Sequence, residues 1–204
     1  MDFLKIEDDL MDDLIYKIKE YANVNNVPIM TDEGINFLLD YIKKNKIKKI
    51  LEVGTAIGYS AIRMCNLNED ITVTTIERDK DRYEEAVKNV NLGNYNERIT
   101  LIFGDALDVE IDGKYDLIFI DAAKAQNIKF FEKYKVNLNE SGTIITDNMN
   151  FHGLTFMEDT SKLSRNLKQL VRKLKNYHEY LKNNIEFSTV FYDIGDGIAV
   201  SKRK

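Results

Sequence analysis

Apolar residues recur at two different periods along this chain, and the switches between them mark out its elements. Between residues 2 and 22, Phe3, Leu4, Leu10, Leu14, Ile15 and Ile18 stand at roughly helical spacing with acids between them. That pattern predicts an amphipathic helix, or a pair of helices, lying outside any sheet. Residues 23–30 read as a loop. Thr31 can cap a helix through its hydroxyl, and Asp32 and Glu33 suit the positive end of that helix. Ile35, Leu38, Leu39 and Ile42 supply its apolar stripe, which ends near Asn45.

The period then shortens. Ile50 and Leu51 form a short apolar run that meets Glu52 and enters the small-residue turn GTAIG at 54–58, leaving through Tyr59 and Ser60 into a helical pattern. Residues 72–77, 99–103, 115–121 and 142–146 are further β-rich runs. Between them, residues 79–91 read as a helix with Tyr83, Ala86, Val87 and Val90 inward, and residues 125–138 read as another. A long helix is expected at 161–183, with Leu163, Leu167, Leu170, Leu174, Tyr177 and Leu181 in one stripe. Residues 187–194 and 198–201 alternate about Gly195-Asp196-Gly197, a hairpin signal. Strands alternating with helices predict a parallel sheet, and a closing hairpin needs at least one antiparallel strand. The expected architecture is α/β: one domain over 1–204, with N-terminal helices at 1–46 and a Rossmann-like core at 47–204. Its sheet would be doubly wound, seven-stranded and mostly parallel, with an antiparallel C-terminal strand.

In a parallel sheet the C-terminal strand ends open on one edge, where ligands bind. Here those ends carry Gly54 and Thr55, Glu77, Gly104 and Asp105, Asp121, and Asp147 with Asn148. Glu77 lies about 20 residues beyond the glycine turn, where an acid accepts ribose hydroxyls in nucleotide-binding sheets. The turn is G-x-x-x-G and lacks the third glycine of a pyrophosphate clamp, which argues against NAD.

Composition narrows the classes. At 44% hydrophobic and 31% charged residues the chain has the make-up of a soluble globular protein. A net charge of −5 excludes a molecule that is basic all over, and leaves room for a local basic face. The single cysteine, Cys65, cannot form an internal disulfide, which fits a reducing compartment, and a cytoplasmic location is expected. No apolar run is long enough to cross a bilayer, so no membrane partner is expected. His152 and His178 are isolated, and there is no Cys/His cluster for zinc.

The motifs ILEVGTAIGYS at 50–60, IERD at 76–79, GDA at 104–106, FIDAAK at 119–124 and TDN at 146–148 together resemble the metal-dependent O-methyltransferases, the family of catechol and caffeoyl-coenzyme-A methyltransferases. Arg165-Asn166-Leu167 and the IGDGIA run at 194–199 resemble most closely the bacterial branch that includes tRNA 5-hydroxyuridine methyltransferases. The resemblance implies S-adenosylmethionine as cofactor. Glu77 would hold its ribose, Asp105 and Ala106 its adenine, and Met30, Glu52, Gly54, Ser60 and Asp121 would complete the cofactor site. It further implies Asp121, Asp147 and Asn148 as ligands of a divalent metal, and Lys124, with Asp121, as catalytic. Two carboxylates and an amide are hard oxygen donors suited to Mg²⁺. The implied activity is methylation of 5-hydroxyuridine to 5-methoxyuridine at the wobble position of tRNA anticodons. A small-molecule, catechol-like O-methyltransferase is the alternative, and a non-catalytic binding domain of the same fold the second. A homodimer is expected from the family.

One further stretch bears on an RNA partner. Between 161 and 183, Lys162, Arg165, Lys168, Arg172, Lys173, Lys175 and Lys182 stand against a single acid, Glu179. Helical geometry sets most of them opposite the leucine stripe. Arg165, Lys168 and Arg172 are therefore expected to contact tRNA.

Overall fold

Strand β1 (Lys49–Val53) is apolar except for Lys49 and Glu52 and buried from Ile50 to Val53, and the sheet is built outward from it. The computed structural model describes residues 3–150, 153, 155 and 163–204, with side chains from Leu10 onward. In chain order the remaining elements are α1 (Phe3–Val24), α2 (Asp32–Lys44), α3 (Tyr59–Cys65), β2 (Thr72–Glu77), α4 (Lys80–Leu92), β3 (Ile99–Phe103), β4 (Tyr115–Ile120), α5 (Asn127–Tyr134), β5 (Leu138–Thr146), α6 (Arg165–Lys182), β6 (Phe187–Tyr192) and β7 (Ile198–Arg203).

The sheet has seven strands in the order β3-β2-β1-β4-β5-β7-β6. β7 lies between β5 and β6 and runs antiparallel to both, while the other pairings are parallel. The chain winds outward from β1 to β3, then returns to β4 on the other side of β1. That reversal leaves a crevice beyond the C-terminal ends of β1 and β4. Alternate strand residues feed two cores. Ile50, Leu117, Phe119 and Ile145 pack with Ile18 of α1, Leu38 of α2 and Ile62 of α3. Leu51, Val53, Ile118 and Ile120 pack with Phe131 of α5 and Tyr177 of α6.

The local expectations hold where a cap or a period settles them. Thr31 accepts from the Gly34 N–H at 3.2 Å, and Asp79 accepts from Arg82 N–H at 3.1 Å, so both cap their helices. The N-terminal pattern forms one continuous helix. Its Leu14 and Ile18 are buried and Leu10 is 64% exposed, outside the stripe. In α4 the deeply buried positions are Ala86, Asn89 and Val90, with Tyr83 and Val87 half-buried. Asn89 earns its place by donating to the Ile57 carbonyl at 2.9 Å.

Residues 125–138 differ from the expected single helix. α5 is flanked by 3₁₀ turns at Lys124–Gln126 and Lys135–Asn137, and Leu138 already belongs to β5. The Asn137 amide donates to the carbonyls of Ile111 and Gly113, which ends the helical run. Asn139 donates to Asp116 at 2.7 Å, and a register shift between Tyr115 and Leu117 lets the polar stretch after Leu138 stay in the sheet. These partners are more than twenty residues away, so local periodicity does not reveal them. α6 begins at Arg165 with Ser164 as its cap. The expected start at 161–162, Lys162, His152 and the side chains of Phe3 and Leu4 lie outside the described residues.

Candidate active site

The glycine turn after β1 is shaped by close approach. Gly54 has φ 107°, and a Cβ there would run into the Asp121 carbonyl oxygen. Gly58 has φ 85° and Ala56 φ 47°, so an alanine occupies the left-handed region where glycine is usual. The Ala56 N–H donates to Glu77 Oε2 at 2.8 Å. The N–H groups of Arg78 and Asp79 donate to Glu77 Oε1 at 3.0 and 2.8 Å. Three backbone donors thus hold the Glu77 carboxylate in one orientation at the end of β2.

Glu52 and Ser60 are buried and are not among the residues lining the cavity over the sheet edge. Glu52 is fully buried beneath the turn, accepting from the Ser60 hydroxyl and from Thr75 Oγ1 at 2.6 Å, and Thr75 bonds Thr55 in turn. Burial, offset in part by these two donors, pushes the Glu52 carboxyl up to about 7. A carboxyl whose pKa rises on folding favours the folded state most at low pH. That contribution is lost as pH climbs from the unfolded value through about 7. Glu52→Gln is therefore expected to gain on the wild type between pH 5 and pH 8, by on the order of 1–3 kcal/mol at about 1.4 kcal/mol per pKa unit. Denaturant melts at the two pH values measure it. An equal difference at both would refute the assignment.

A cavity of about 660 Å³ opens over the switch point. Met30, Gly54, Glu77, Asp105 and Ala106 line one part of it, and Asp121, Lys124, Asp147 and Asn148 another. Asp105 accepts from Leu107 N–H at 2.9 Å, and that bond, helped by Arg78, holds its carboxyl below the usual range. Asp121 and Asp147 continue their strands: the Asp121 N–H donates to Val53 and the Asp147 N–H to Ile120. Asn148 follows with φ 63°. Its amide nitrogen donates to Asp121 Oδ1 at 2.9 Å and Asp147 Oδ2 at 3.0 Å, bridging two acids that would otherwise repel. Burial raises both carboxyls above the usual carboxylate range, Asp147 further because Asp121 stands beside it, and the Lys124 charge opposes the rise. Among the described residues no group of three His, Cys, Asp or Glu is arranged to hold a metal ion. The candidate set remains two acids and an amide.

Pro28, Thr31, Arg78, Arg82, Phe130 and Asp196 also line the cavity, and the sequence does not assign them to the site. Asp196 was visible only as the middle of a hairpin turn. That turn is tied to the acid-bearing loop: Met149 N–H donates to the Gly197 carbonyl at 2.9 Å, and Asn150 N–H to the Asp196 carbonyl at 2.7 Å. Gly197 has φ 85°, and a Cβ there would stand 2.6 Å from Asn150 Cγ and 2.8 Å from its backbone nitrogen. Gly197→Ala should therefore cost about 1–3 kcal/mol in urea unfolding, from backbone strain and displacement of Asn150. A loss below a few tenths would mean that the loop yields freely. Arg165, Lys168 and Arg172 are exposed on α6 and do not line the cavity.

Comparison with known proteins agrees with this geometry. A family model described as O-methyltransferase matches residues 4–204. A crystal structure of a putative caffeoyl-CoA O-methyltransferase from Staphylococcus aureus is 40% identical, with a TM-score of 0.88, covering 93% of this chain and 92% of that one. A putative caffeoyl-CoA O-methyltransferase of Arabidopsis thaliana is 27% identical over 192 residues, 91% of this chain and 82% of the relative. A catechol O-methyltransferase of Niastella koreensis is 29% identical over 169 residues, 79% of this chain and 75% of the relative. The cavity at the switch point and a family match over nearly the whole length lead to one conclusion: this chain belongs to the O-methyltransferase family.

Proposed function

We propose that this protein transfers the methyl group of S-adenosylmethionine to a hydroxyl held beside a divalent cation, and that the hydroxyl is that of 5-hydroxyuridine at the wobble position of tRNA. The observation that carries the methyl-transfer reading is the single cavity shared by Glu77 and Asp105 on one side and Asp121, Lys124, Asp147 and Asn148 on the other. A sulfonium nucleoside and an acceptor could thus meet within it. Structures of relatives bound to S-adenosylhomocysteine share the fold, among them a Podospora anserina methyltransferase with a TM-score of 0.84 at 21% identity.

The residues fit both groups. The preset Glu77 carboxylate offers two acceptor oxygens to a ribose diol, and Asp105 offers one to an exocyclic amine. The Asn148 amide nitrogen faces both Asp121 and Asp147, and the same amide turned end for end would offer its oxygen there, so two carboxylates and an amide oxygen would hold a divalent cation. When bound there, Mg²⁺ would lower the pKa of the acceptor hydroxyl. In this reading Asp121 and Asp147 orient the acceptor, and the Lys124 ammonium stabilises negative charge on the attacking oxygen. Holding both reactants in line supplies much of the remaining acceleration. Titration calorimetry tests the cofactor: S-adenosylhomocysteine should bind and NAD should not. Comparable NAD affinity would overturn the assignment.

The RNA reading is supported by α6. Arg165, Lys168, Arg172, Lys173, Lys175 and Lys182 are exposed on it in a chain of net charge −5. Reversing Arg165, Lys168 and Arg172 together should raise the apparent KM for tRNA about tenfold or more and flatten its salt dependence by about three contacts' worth. The affinity for S-adenosylhomocysteine should stay unchanged. The names of the relatives favour a second reading, a small diol such as a catechol. Mass spectrometry of tRNA nucleosides from cells with and without the protein separates the two: unchanged 5-methoxyuridine would leave the small-molecule reading.

A further inference from the structure

Two clefts open beside the acid-bearing loop, one of about 200 Å³ and one of about 370 Å³, and His178 borders both. Its ring stacks on Phe191 of β6, with centroids 4.0 Å apart and planes 22° from parallel. Burial and the nearby Lys182 hold the imidazole below its usual pKa, which favours the uncharged ring. Met149 and Asn150, the residues that directly follow Asn148, form part of the smaller cleft's wall. Thr155, Lys175, Glu179 and Lys182 line the larger with His178. Thr155 is 1% exposed, and its hydroxyl oxygen has no hydrogen-bond partner among the described residues.

Charge runs toward the same place. Arg165, Lys168, Arg172, Lys175 and Lys182 recur at steps of three, four or seven, so they share one face of α6. His178 lies three residues after Lys175 and four before Lys182, on that face. The acids nearby are engaged: Glu179 pairs with Lys182 at 3.8 Å, and Asp193 accepts from the Asn150 amide at 2.6 Å. A stacked aromatic surface and a cationic stripe leading to it are the elements with which proteins hold unstacked bases and their phosphates.

We infer that the cleft between α6 and β6 is a nucleobase subsite. There an unstacked loop base neighbouring the methylated one extends the His178–Phe191 stack, with its phosphates against Lys175 and Lys182. The inference rests on the RNA reading above and adds to it a defined second contact.

The test is binding and methylation of a short RNA hairpin with 5-hydroxyuridine in its loop, in Mg²⁺, with S-adenosylhomocysteine for binding and S-adenosylmethionine for turnover. His178→Ala should weaken hairpin binding about tenfold, and His178→Phe, which keeps a stacking ring, should stay within about twofold of wild type. An abasic nucleotide beside the target should cost the wild type about tenfold and His178→Ala nothing further, since both remove the same stack. Neither variant should change S-adenosylhomocysteine affinity. If the wild type binds and methylates the hairpin and His178→Ala does so equally well, the subsite is wrong and the RNA reading stands. The subsite is equally overturned if the abasic penalty is the same in both proteins or His178→Phe fails to bind. A wild type that neither binds nor methylates the hairpin would overturn the RNA reading and the subsite together.

Discussion

Asp147→Asn should cut turnover about a thousandfold and yet make the metal-free protein more stable. Asp147 is 6% exposed and stands beside Asp121, with burial and that neighbour both raising its carboxyl. An acid raised in this way favours the folded state most at low pH, and that contribution is lost as pH rises through the elevated value. At neutral pH it is a liability in a protein without bound metal. Asparagine keeps the shape and removes the charge, so thermal unfolding at pH 8 should shift upward by a few degrees, the equivalent of about 1 kcal/mol in a chain of this size. Turnover should fall about a thousandfold, because a positioned cation contributes several kcal/mol to such a reaction. The two measurements together are diagnostic. An enzyme that loses stability at pH 8 would assign Asp147 to the scaffold, and activity preserved in EDTA would remove metal from the mechanism.

Lys124→Met should separate catalysis from assembly. Lys124 lines the cavity, and its charge lowers the pKa of both Asp121 and Asp147. Removing it should cut kcat by about 10²–10⁴-fold, the usual range for a group that handles charge or a proton in the transition state. S-adenosylhomocysteine binding should persist, since Glu77 and the glycine turn are untouched. The carboxyls of Asp121 and Asp147 should move higher still without their cation, so metal binding should need a higher pH than in the wild type. A variant with normal kcat would make Lys124 a solvated residue at the start of a 3₁₀ turn.

Substitutions at these positions act on charge within a fixed frame, and much of that frame can be read from the chain itself. The strand–turn–helix at 49–65, the acid closing β2, the capped starts of α2 and α4 and the hairpin about Gly195 and Gly197 depend on local spacing, capping hydroxyls and backbone freedom. The alternation of strands and helices then implies which strand ends share an edge, which groups Glu77, Asp105, Asp121, Asp147 and Asn148 from the sequence itself. The antiparallel closing strand followed from the hairpin.

Other features depended on residues far apart in the chain. Leu138 joins β5 because Tyr115 pairs with it, and Asn137 ends the preceding turn by reaching carbonyls at Ile111 and Gly113. The apolar period is the same for a helix end and a short strand, so only those partners decide. Glu52 stands in the motif, and folding buries it beneath the turn, where it accepts from Ser60 and Thr75. Asp196 enters the cavity because β7 inserts between β5 and β6, which brings a turn near the C-terminus against the loop after β5. His178 and Phe191 meet only when α6 packs along β6. Sequence alone determined the strand-end chemistry and the order of elements, because those rest on local period and backbone preference. Tertiary structure decided which polar groups face the cavity and which are sealed beneath it, because burial and pairing are set by partners that lie tens of residues away.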